Sequence, residues 1–337
     1  MNIPISDTDD LNEFHAITPE VVLRAVEQFG LECTGRCLQL NSMENRVYEV
    51  EVECDNPTST SDKFRVIKFY RPGRWSKVQI QEEHTFLLEC ADQELTVVPP
   101  LANDNGETVH ELTEGVFFTV WPRRGGRNNP ELNQQELETV GRLLGRLHNV
   151  GARRTAPSRL TLNPTVFGRE NARFLIETGL IPQELQQAYV ELVGNLCDVC
   201  ESWFAGVPIH RIHGDCHVGN VVWADSQPFL LDFDDMVMGP AVQDIWLLVP
   251  GRDEEAVRDR EKLLTAYETF REFDWGSLRL IEPLRALRYV HFSAWIARRR
   301  HDPYIQKTFP LAGTHGYWRE QLNDLHEQLE RLHGAVR

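Results

Sequence analysis

The hydrophobic pattern of the first third of the chain is typical of short strands. Apolar and polar residues alternate in the second half of LNSMENRVYEVEVE (40–53), and an apolar strand-like run follows at 64–70. These two runs predict a hairpin, and the polar segment CDNPTSTSD between them predicts an unusually long tip. Further strand-like runs at 107–112 and 115–121 bring the predicted sheet to about five strands.

Two helices are predicted to accompany this sheet. The first is expected at 18–29, because Thr18 is a favoured N-cap residue and Gly30 follows the last turn. The second is expected at about 76–91, where Ser76-x-x-Gln79 resembles a capping box. The first lobe is therefore predicted to be a small antiparallel sheet with helices laid on it.

The rest of the chain has a mostly helical pattern. The segment PRRGGRNNP, at 122–130, is rich in Gly, Pro and Asn and predicts a hinge or linker. Beyond it, apolar residues recur at helical spacing and are interrupted by a predicted hairpin at 209–232. We therefore expect an α+β, bilobal fold with an N-terminal lobe at 1–121 and a helical C-terminal lobe at 131–337.

Length and charge narrow the class of protein. A chain of 337 residues is long for one compact core, which favours two lobes. The formal net charge of −16 argues against nucleic acid and anionic membranes as partners, since both select for clustered Lys and Arg. No apolar run is long enough to span a bilayer, and the first residues are acidic where a signal peptide is basic. These features predict a cytoplasmic protein, which we expect to be a monomer.

The seven cysteines do not have the spacing of a disulfide framework. Cys197 and Cys200 fall within a predicted helix at 183–204, and we interpret them as reduced residues packed on that helix. Cys216 lies inside the octapeptide described next. A reactive thiol is the alternative there, although no residue pattern indicates a lowered pKa.

The octapeptide HGDCHVGN, at 213–220, carries the clearest chemical signal. Asp215 and Asn220 have the D-x-x-x-x-N spacing of a kinase catalytic loop, in which the Asp accepts a hydroxyl proton and the Asn holds a magnesium ion. Asp, Asn and His are each common in turns for structural reasons. The prediction therefore depends on the ordered set and not on any single residue.

A second metal ligand is predicted in the hairpin that follows. Residues 221–223 form an apolar strand, a turn follows, and 229–231 form the return strand. Pairing centred on Ser226 would place Asn220 opposite Asp232. Two oxygen ligands for a hard cation would then meet at one end of the hairpin, which outlines a phosphoryl-transfer site.

The first lobe offers a lysine for the phosphates of ATP. Lys68 lies in the apolar strand VIKFY, where burial of an unpaired ammonium is unfavourable. In the kinase arrangement such a lysine contacts the α- and β-phosphates and is held by a Glu of the neighbouring helix. Glu82 and Glu83 are the available partners; adjacent helical positions point about 100° apart, so only one faces inward. We choose Glu83, and a lysine that reaches solvent from an edge strand is the alternative.

No Gly-rich loop is present to cover the phosphates. The segment LNSMENRVY (40–48) occupies the corresponding turn, where Ser42 and backbone N–H groups could cradle phosphate oxygens and Arg46 could add charge. An ordinary Asn-Ser turn is the alternative. The connection FFTVWP should offer backbone groups to the adenine edge, with Val120 and Trp121 as candidates.

With these residues assembled, the chain resembles the bacterial stress response kinase A family, in the aminoglycoside phosphotransferase and choline kinase-like branch of the protein kinase fold. The motif HGDxHxxN followed by an aspartate-rich hairpin end is typical of that branch. The resemblance runs in order from about residue 17 to 300, through LNSMENRVYEV, VIKFYRPGRW, GRLLGRLHNVG, HRIHGDCHVGNVVW, DDMVMGPAVQDIWLL and IEPLRALRYV.

This resemblance implies an ATP- and Mg²⁺-dependent kinase that phosphorylates Ser and Thr residues of proteins. By motif, Asp215 would be the catalytic base, and Asn220 and Asp232 would be metal ligands, with Asp232 also counted among the catalytic residues. Ser42 would lie in the ATP-contacting loop, and Lys68 would be the phosphate lysine.

Two other functions stay open. The stretch after Asp232, FDDMVMGPAVQ, contains no Ser, Thr or Tyr and is short for a peptide-docking platform, so a small-molecule kinase acting on an alcohol is the alternative. Asp244, which follows, is expected to tie this stretch down by hydrogen bonds. An inactive nucleotide-sensing protein is the third hypothesis, although such proteins usually lack the base, a metal ligand or the lysine.

Further candidates for lining the acceptor cleft are Glu282, Arg285, Tyr289, His291 and Trp295.

Overall fold

The structure is a computed structural model that describes residue 14, residues 16–113 and residues 115–335. In chain order the described α-helices are α1 Pro19–Glu27, α2 Lys77–Asp92, α3 Gln134–Gly151, α4 Glu170–Glu177, α5 Gln183–Phe204, α6 Val242–Leu248, α7 Glu254–Tyr267, α8 Ile281–Arg298, α9 Pro303–Thr308 and α10 His315–Ala335. The described strands are β1 Cys33–Leu40, β2 Arg46–Val52, β3 Phe64–Phe69, β4 His110–Thr113, β5 Val116–Pro122, β6 Arg127–Asn128, β7 His210–Ile212, β8 Val221–Ala224, β9 Gln227–Leu230 and β10 Val237–Gly239.

The N-terminal lobe is built on a five-stranded antiparallel sheet with the order β1-β2-β3-β5-β4. Strand alternation places Ile67 and Val120 on one face, where they join Val22 of α1 in a buried apolar cluster. The opposite face carries Lys68, which is paired with Thr119 across the β3–β5 ladder. The predicted sheet is confirmed, and it separates α1 from the side on which Lys68 lies.

The start of α2 is fixed by hydrogen bonds between residues that are close in the sequence. The Ser76 hydroxyl accepts a hydrogen bond from the Gln79 backbone N–H, and the Gln79 side-chain oxygen accepts from the Ser76 N–H at 2.9 Å. This capping box satisfies donors that would otherwise lack partners at the first turn. The helix therefore begins after Ser76, as predicted.

Two buried apolar clusters lie in the helical lobe, and the first extends to residues of α2 and β5. In the first, α3 packs closely against α7, because Gly141 and Gly145 leave room for the carbonyls of Leu263 and Tyr267; a Cβ at either glycine would lie 2.2 or 2.5 Å from those oxygens. The second cluster joins α4, α5, α8 and α10. None of the described helices combines the length and apolar character needed to cross a membrane.

Two short sheets interrupt the helices: β7 pairs with β10, and β6, β8 and β9 form a three-stranded sheet. The strand β6 lies within the segment predicted to be a linker. Its Asn128 side chain donates to the carbonyls of Gly219, at 2.7 Å, and Val221, at 3.0 Å. The segment is therefore fastened to the end of the 213–220 octapeptide.

The register of the β8–β9 hairpin differs from the prediction. The turn consists of two residues, Asp225 and Ser226, with φ of +50° and +64°, which suits the twist of a tight hairpin. Asn220 consequently lies opposite Leu231, whose N–H donates to the Asn220 carbonyl at 3.0 Å. The predicted pairing of Asn220 with Asp232 was wrong by one residue, because it assumed a turn centred on a single residue.

Candidate active site

The 213–220 octapeptide is held in place by one buried carboxylate. Asp244, in the first turn of α6, is completely buried and accepts hydrogen bonds from the backbone N–H groups of His213 and Gly214, both at 2.9 Å. Its Oδ2 also lies 3.0 Å from His148 Nε2. These contacts confirm the hydrogen-bonding role expected for Asp244, and they position the start of the loop.

Gly214 allows two backbone segments to approach closely. Its φ is +87°, and a Cβ at this position would lie 2.1 Å from the carbonyl oxygen of Asp235. Its own carbonyl accepts a hydrogen bond from Gln243 Nε2 at 2.9 Å. Only glycine tolerates both the positive φ and the nearby Asp235 carbonyl. The octapeptide and the segment after Asp232 therefore pack backbone against backbone.

Asp215 has two basic neighbours. Its Oδ1 accepts a hydrogen bond from Arg288 Nη2 of α8 at 3.0 Å, and its Oδ2 lies 3.5 Å from His217 Nε2. Burial alone would raise the pKa of Asp215, but the His217 hydrogen bond and the Arg288 charge hold that pKa below its usual range. The same hydrogen bond raises the pKa of His217. Asp215 is therefore a carboxylate at neutral pH.

Asn220 and Asp232 both have oxygen atoms available for a ligand. Asn220 Nδ2 donates to the Asp215 carbonyl at 2.9 Å, and among the described residues nothing donates to its Oδ1. Asp232 follows β9 in the left-handed conformation, with φ of +60°. Its carboxyl group is 55% exposed. A strained, exposed carboxylate of this kind is often found at functional sites.

Lys68 connects the sheet to these carboxylates. Its Nζ lies 3.1 Å from Asp232 Oδ1 and 3.7 Å from Asp234 Oδ1, and it is within 5.6 Å of the centres of the Tyr70 and Trp121 rings. Burial lowers the pKa of Lys68, but the attraction of Asp232 and Asp234 outweighs it and raises that pKa well above its usual value. The buried lysine is thus charged and paired, and the alternative that it reaches solvent was wrong.

The helix α2 directs Glu83 inward and Glu82 outward. Glu82 accepts hydrogen bonds from the backbone N–H groups of Ser158 and Arg159. Glu83 is completely buried, with Oε2 3.9 Å from Arg159 Nη1, and burial raises the pKa of Glu83 to about 7. Within the described residues Lys68 forms its ion pairs with aspartates and not with Glu83. The prediction therefore chose the glutamate that faces inward, but the structure contains no direct ion pair between Lys68 and Glu83.

The loop before β2 is fastened to the same carboxylates. The Ser42 hydroxyl accepts a hydrogen bond from the Asn45 N–H at 3.2 Å, which shapes the turn locally. Asn45 Nδ2 donates to Asp234 Oδ2 at 3.2 Å, while its Oδ1 accepts from the Arg71 N–H at 3.2 Å. Asn45, which the sequence did not single out, thus makes the contact between this loop and the site.

Of the other three candidates in this lobe, the structure brings only one beside Lys68. Arg46 lies on the α1 face of β2, with its guanidinium over an aromatic ring of that side. The Val120 side chain is completely buried under α1, and its carbonyl accepts a hydrogen bond from the Leu101 N–H at 2.7 Å. Trp121 lies on the Lys68 face of the sheet.

Three charged residues that were not assigned from the sequence complete the cluster. Arg74 Nε lies 3.8 Å from Asp234 Oδ2, and Arg74 Nη2 forms an ion pair with Asp235 Oδ1. Burial raises the pKa of Asp235 to about 6, against the lowering effect of Arg74. The signals were present, since LLDFDD contains three aspartates and RPGRW contains a second arginine. Nothing in the local pattern showed which of them would turn inward.

The acceptor-cleft candidates on α8 have different surroundings. Glu282 and Arg285 line a cavity of about 380 Å³. Three pack against neighbouring side chains, namely Tyr289 in the second apolar cluster, His291 on Phe167, and Trp295, which donates to Glu44. Arg288, which was not among these candidates, is the α8 residue that contacts Asp215.

The cysteines singled out from the sequence, Cys197, Cys200 and Cys216, are packed residues. Cys216 is completely buried, and burial raises its pKa well above the usual value, which argues against a reactive thiol. Cys197 and Cys200 lie in the second apolar cluster on α5, where burial raises their pKa values to about 11 and about 12. The interpretation of the pair as packed thiols is confirmed.

The donor atoms of the site suit a hard divalent cation. Asp232 and Asn220 offer oxygen atoms, and Mg²⁺ is commonly bound by one or two carboxylates together with substrate phosphates. The described residues contain no group of three or more His, Cys, Asp or Glu side chains that could hold a metal ion. A cation at this site would therefore need phosphate oxygens as additional ligands.

An antiparallel sheet lobe joined to a helical lobe defines a kinase-like phosphotransferase when a sheet lysine pairs with the aspartates that follow a D-x-x-x-x-N loop and its hairpin. Residues 37–281 match the phosphotransferase enzyme family, and the chain belongs to this family. It is an ATP-dependent phosphotransferase.

The expected resemblance to stress response kinase A is confirmed. The chain is 38% identical over 327 residues to stress response kinase A of Salmonella paratyphi A, with 96% of each chain covered. It has the same identity and coverage with the serine/threonine protein kinase RdoA of Salmonella typhimurium. Among solved structures it is similar in fold to the amicoumacin kinase hAmiN in complex with AMP-PNP, Ca²⁺ and Ami, with a TM-score of 0.69, 17% identity, and 93% of this chain and 96% of that chain covered.

Proposed function

We propose that this protein is a serine/threonine protein kinase of the stress response kinase A type, which transfers the γ-phosphoryl group of ATP to hydroxyl groups of other proteins. One observation carries the proposal: Lys68 of the sheet lobe lies 3.1 Å from Asp232, while Asn220 lies 2.9 Å from the carbonyl of Asp215. The name of the similar Salmonella typhimurium kinase supports protein acceptors.

In this proposal Asp215 orients the acceptor hydroxyl and accepts its proton. Its low pKa makes it a weak base, so orientation is its main contribution. Lys68 neutralises charge on the phosphates that stay with ADP. Since the transition state of phosphoryl transfer is loose, positioning and charge stabilisation are the protein's main tasks.

Asn220 and Asp232 would hold the magnesium ion, which supplies charge neutralisation across the phosphates when bound. Lys68 and Asp232 pair with each other, so each has a counterion. Lys68 would contact phosphate oxygens of the nucleotide, and Asp232 would serve as a ligand of the ion.

A small-molecule kinase is the second candidate, and a specific feature favours it. Between Asp232 and Asp244 the chain forms only a single 3₁₀ turn, Phe233–Asp235, the short strand β10 and the first residues of α6. Protein kinases use a longer segment in this region to dock peptides. The amicoumacin kinase, similar in fold, is named for a small-molecule acceptor.

The two candidates are separated by offering labelled ATP and Mg²⁺ with a mixture of proteins in one tube and a panel of small alcohols in another. We expect label on Ser and Thr of proteins, and labelling about 10²–10⁴-fold slower with an Asp215→Asn variant. Label on alcohols alone would favour the second candidate, and ATP binding without any transfer would contradict both. We also propose a cytoplasmic monomer, which cell fractionation and sedimentation of the purified chain test.

A further inference from the structure

Arg288 brings a positive charge to the proposed base from α8. Its Nη2 lies 3.0 Å from Asp215 Oδ1, and its side chain is 43% exposed, so the contact lies at the surface of the cleft. Asp215 is its one acidic partner among the described residues. Since His217 approaches Asp215 from the other carboxylate oxygen, basic groups contact both oxygens of the base.

The positive charge continues along α8. Arg285 precedes Arg288 by three residues, which places the two about one turn apart on neighbouring positions of the helix surface. Arg285 lines the cavity of about 380 Å³, whose lining includes three other arginines and one carboxylate, namely Arg252, Arg260, Arg331 and Glu282. Glu282 pairs with Arg252 and Arg285, and Arg331 pairs with Glu327, so the lining keeps an excess of positive charge in a chain whose net charge is −16.

Fold stability does not explain the placement of Arg288. Ion pairs between partly exposed groups contribute little, because solvent screens them. The C-terminal carbonyls of α8 are already served by Arg299, which donates to the Trp295 carbonyl, and by Arg300, which donates to the Ala297 carbonyl. Arg288 lies in the helix interior, and its guanidinium occupies Oδ1 of the carboxylate proposed as the base. A ligand that draws Arg288 away from Asp215 would leave that oxygen accessible to an acceptor hydroxyl.

We propose that Arg288 recognises an acidic group of the acceptor, so that the phosphorylated hydroxyl is one flanked by a carboxylate or phosphate. This inference rests on the proposed function and names its substrate class. Arg288 pairs with Asp215; an acidic acceptor takes over the guanidinium, and Asp215 is then able to accept a hydrogen bond from the hydroxyl. Further acidic groups of the acceptor lie along the arginine-lined cavity, while a polycationic acceptor is repelled.

The chemical step remains that of a kinase. The bond between the γ-phosphorus and the oxygen bridging to ADP breaks, and a bond between that phosphorus and the acceptor oxygen forms. The acceptor proton passes to Asp215, and ADP leaves with the bridging oxygen. Arg288 influences which acceptor binds and takes no part in the bonds that break and form.

The test compares serine peptides of equal length whose serine is flanked by Asp, by Gln or by Arg, together with a small hydroxy acid and a small amino alcohol. With the full chain, ATP and Mg²⁺, we expect kcat/KM for the Asp peptide to exceed that for the Arg peptide by about 10-fold or more at low salt, and less at high salt. Arg288→Glu should reverse this order, Arg288→Ala should abolish it, and Arg288→Lys should retain part of it. If only the hydroxy acid is preferred over the amino alcohol, the acceptor is a small acid and not a protein.

Two controls separate this inference from the proposed function. Arg258→Glu changes an exposed arginine on α7, a helix that packs against α3, and should leave the order of the peptides unchanged. Transfer to the Gln peptide tests the kinase activity alone. If wild type and Arg288→Ala show the same order of peptides, or if Arg288→Ala lowers kcat equally on all of them, the inference is overturned and the kinase stands. If nothing is phosphorylated, the proposed function fails and this inference fails with it.

Discussion

Replacing Asp244 with alanine removes three hydrogen bonds from a place that water does not reach. The carboxylate accepts from the backbone N–H groups of His213 and Gly214 and contacts His148, and it is completely buried. Alanine offers no acceptor, so two backbone donors at the start of the octapeptide are left without partners. Because these residues position Asp215, the change affects both stability and activity.

The size of the effect follows from the charge and the burial of these hydrogen bonds. A hydrogen bond to a charged group contributes about 1.5–3 kcal/mol, and a buried donor left without an acceptor costs its desolvation as well. The variant does not have to desolvate the Asp244 carboxylate, and this gain offsets part of the loss in stability. We therefore expect a decrease of about 3–5 kcal/mol in the free energy of unfolding, the usual range for breaking a buried charged network.

Urea unfolding of the wild type and of three variants checks this value. Asp244→Ala should lower the midpoint strongly, and Asp244→Asn, which retains one oxygen acceptor, should lower it less. Glu261→Ala changes an exposed residue of α7 and should have little effect. The rate of phosphoryl transfer should be highest in the wild type, lower in Asp244→Asn and lowest in Asp244→Ala. An Asp244→Ala protein with the wild-type midpoint and turnover would refute the argument that this carboxylate positions the loop.

Three further predictions concern the site itself. Asp215→Asn should keep nucleotide binding but lower turnover by about 10²–10⁴-fold; near-full activity would remove Asp215 from the mechanism. Asp232→Ala should lose the Mg²⁺-dependent part of ATP affinity, and an unchanged difference between titrations with and without the metal would show that Asp232 is not a ligand. The pKa of Glu83 is raised from 4.5 to about 7, so ionising Glu83 destabilises the fold as pH rises through that window. Glu83→Gln should therefore be more stable than wild type in urea at pH 8, and this advantage should shrink towards pH 5; an advantage independent of pH contradicts the assigned cause.

Elements with local signals were predictable from the sequence. The capping box at Ser76 set the start of α2, and the helical periodicity of 183–204 coincides with α5. The hairpin after the octapeptide was also predicted, but its predicted register was wrong by one residue. Whether Asp225-Ser226 forms a two-residue turn depends on the twist of β8 and β9, and that twist is set by the pairing itself.

The site residues divide in a similar way. The octapeptide indicated Asp215 and Asn220, since a kinase loop needs these residue types at this spacing, and the apolar strand indicated Lys68. Their roles stay proposals until the variants are measured. Arg74 and Arg288 were not found, because a charged residue in a loop or on a helix surface has many positions available to it in the unfolded chain.

The sequence by itself determined the elements, the order of the chemical motif and the family, because hydrogen bonds and side-chain periodicity within an element involve residues only a few positions apart. Only the tertiary structure decided which charges meet. Asn45 and Asp234 are 189 positions apart, Lys68 and Asp232 are 164 apart, and Arg288 and Asp215 are 73 apart. Such pairs form when the sheet lobe packs against the segment around Asp232 and α8 packs against the octapeptide. Burial there strengthens the attraction between opposite charges and makes an unpaired charge costly, so the packing selects the partners.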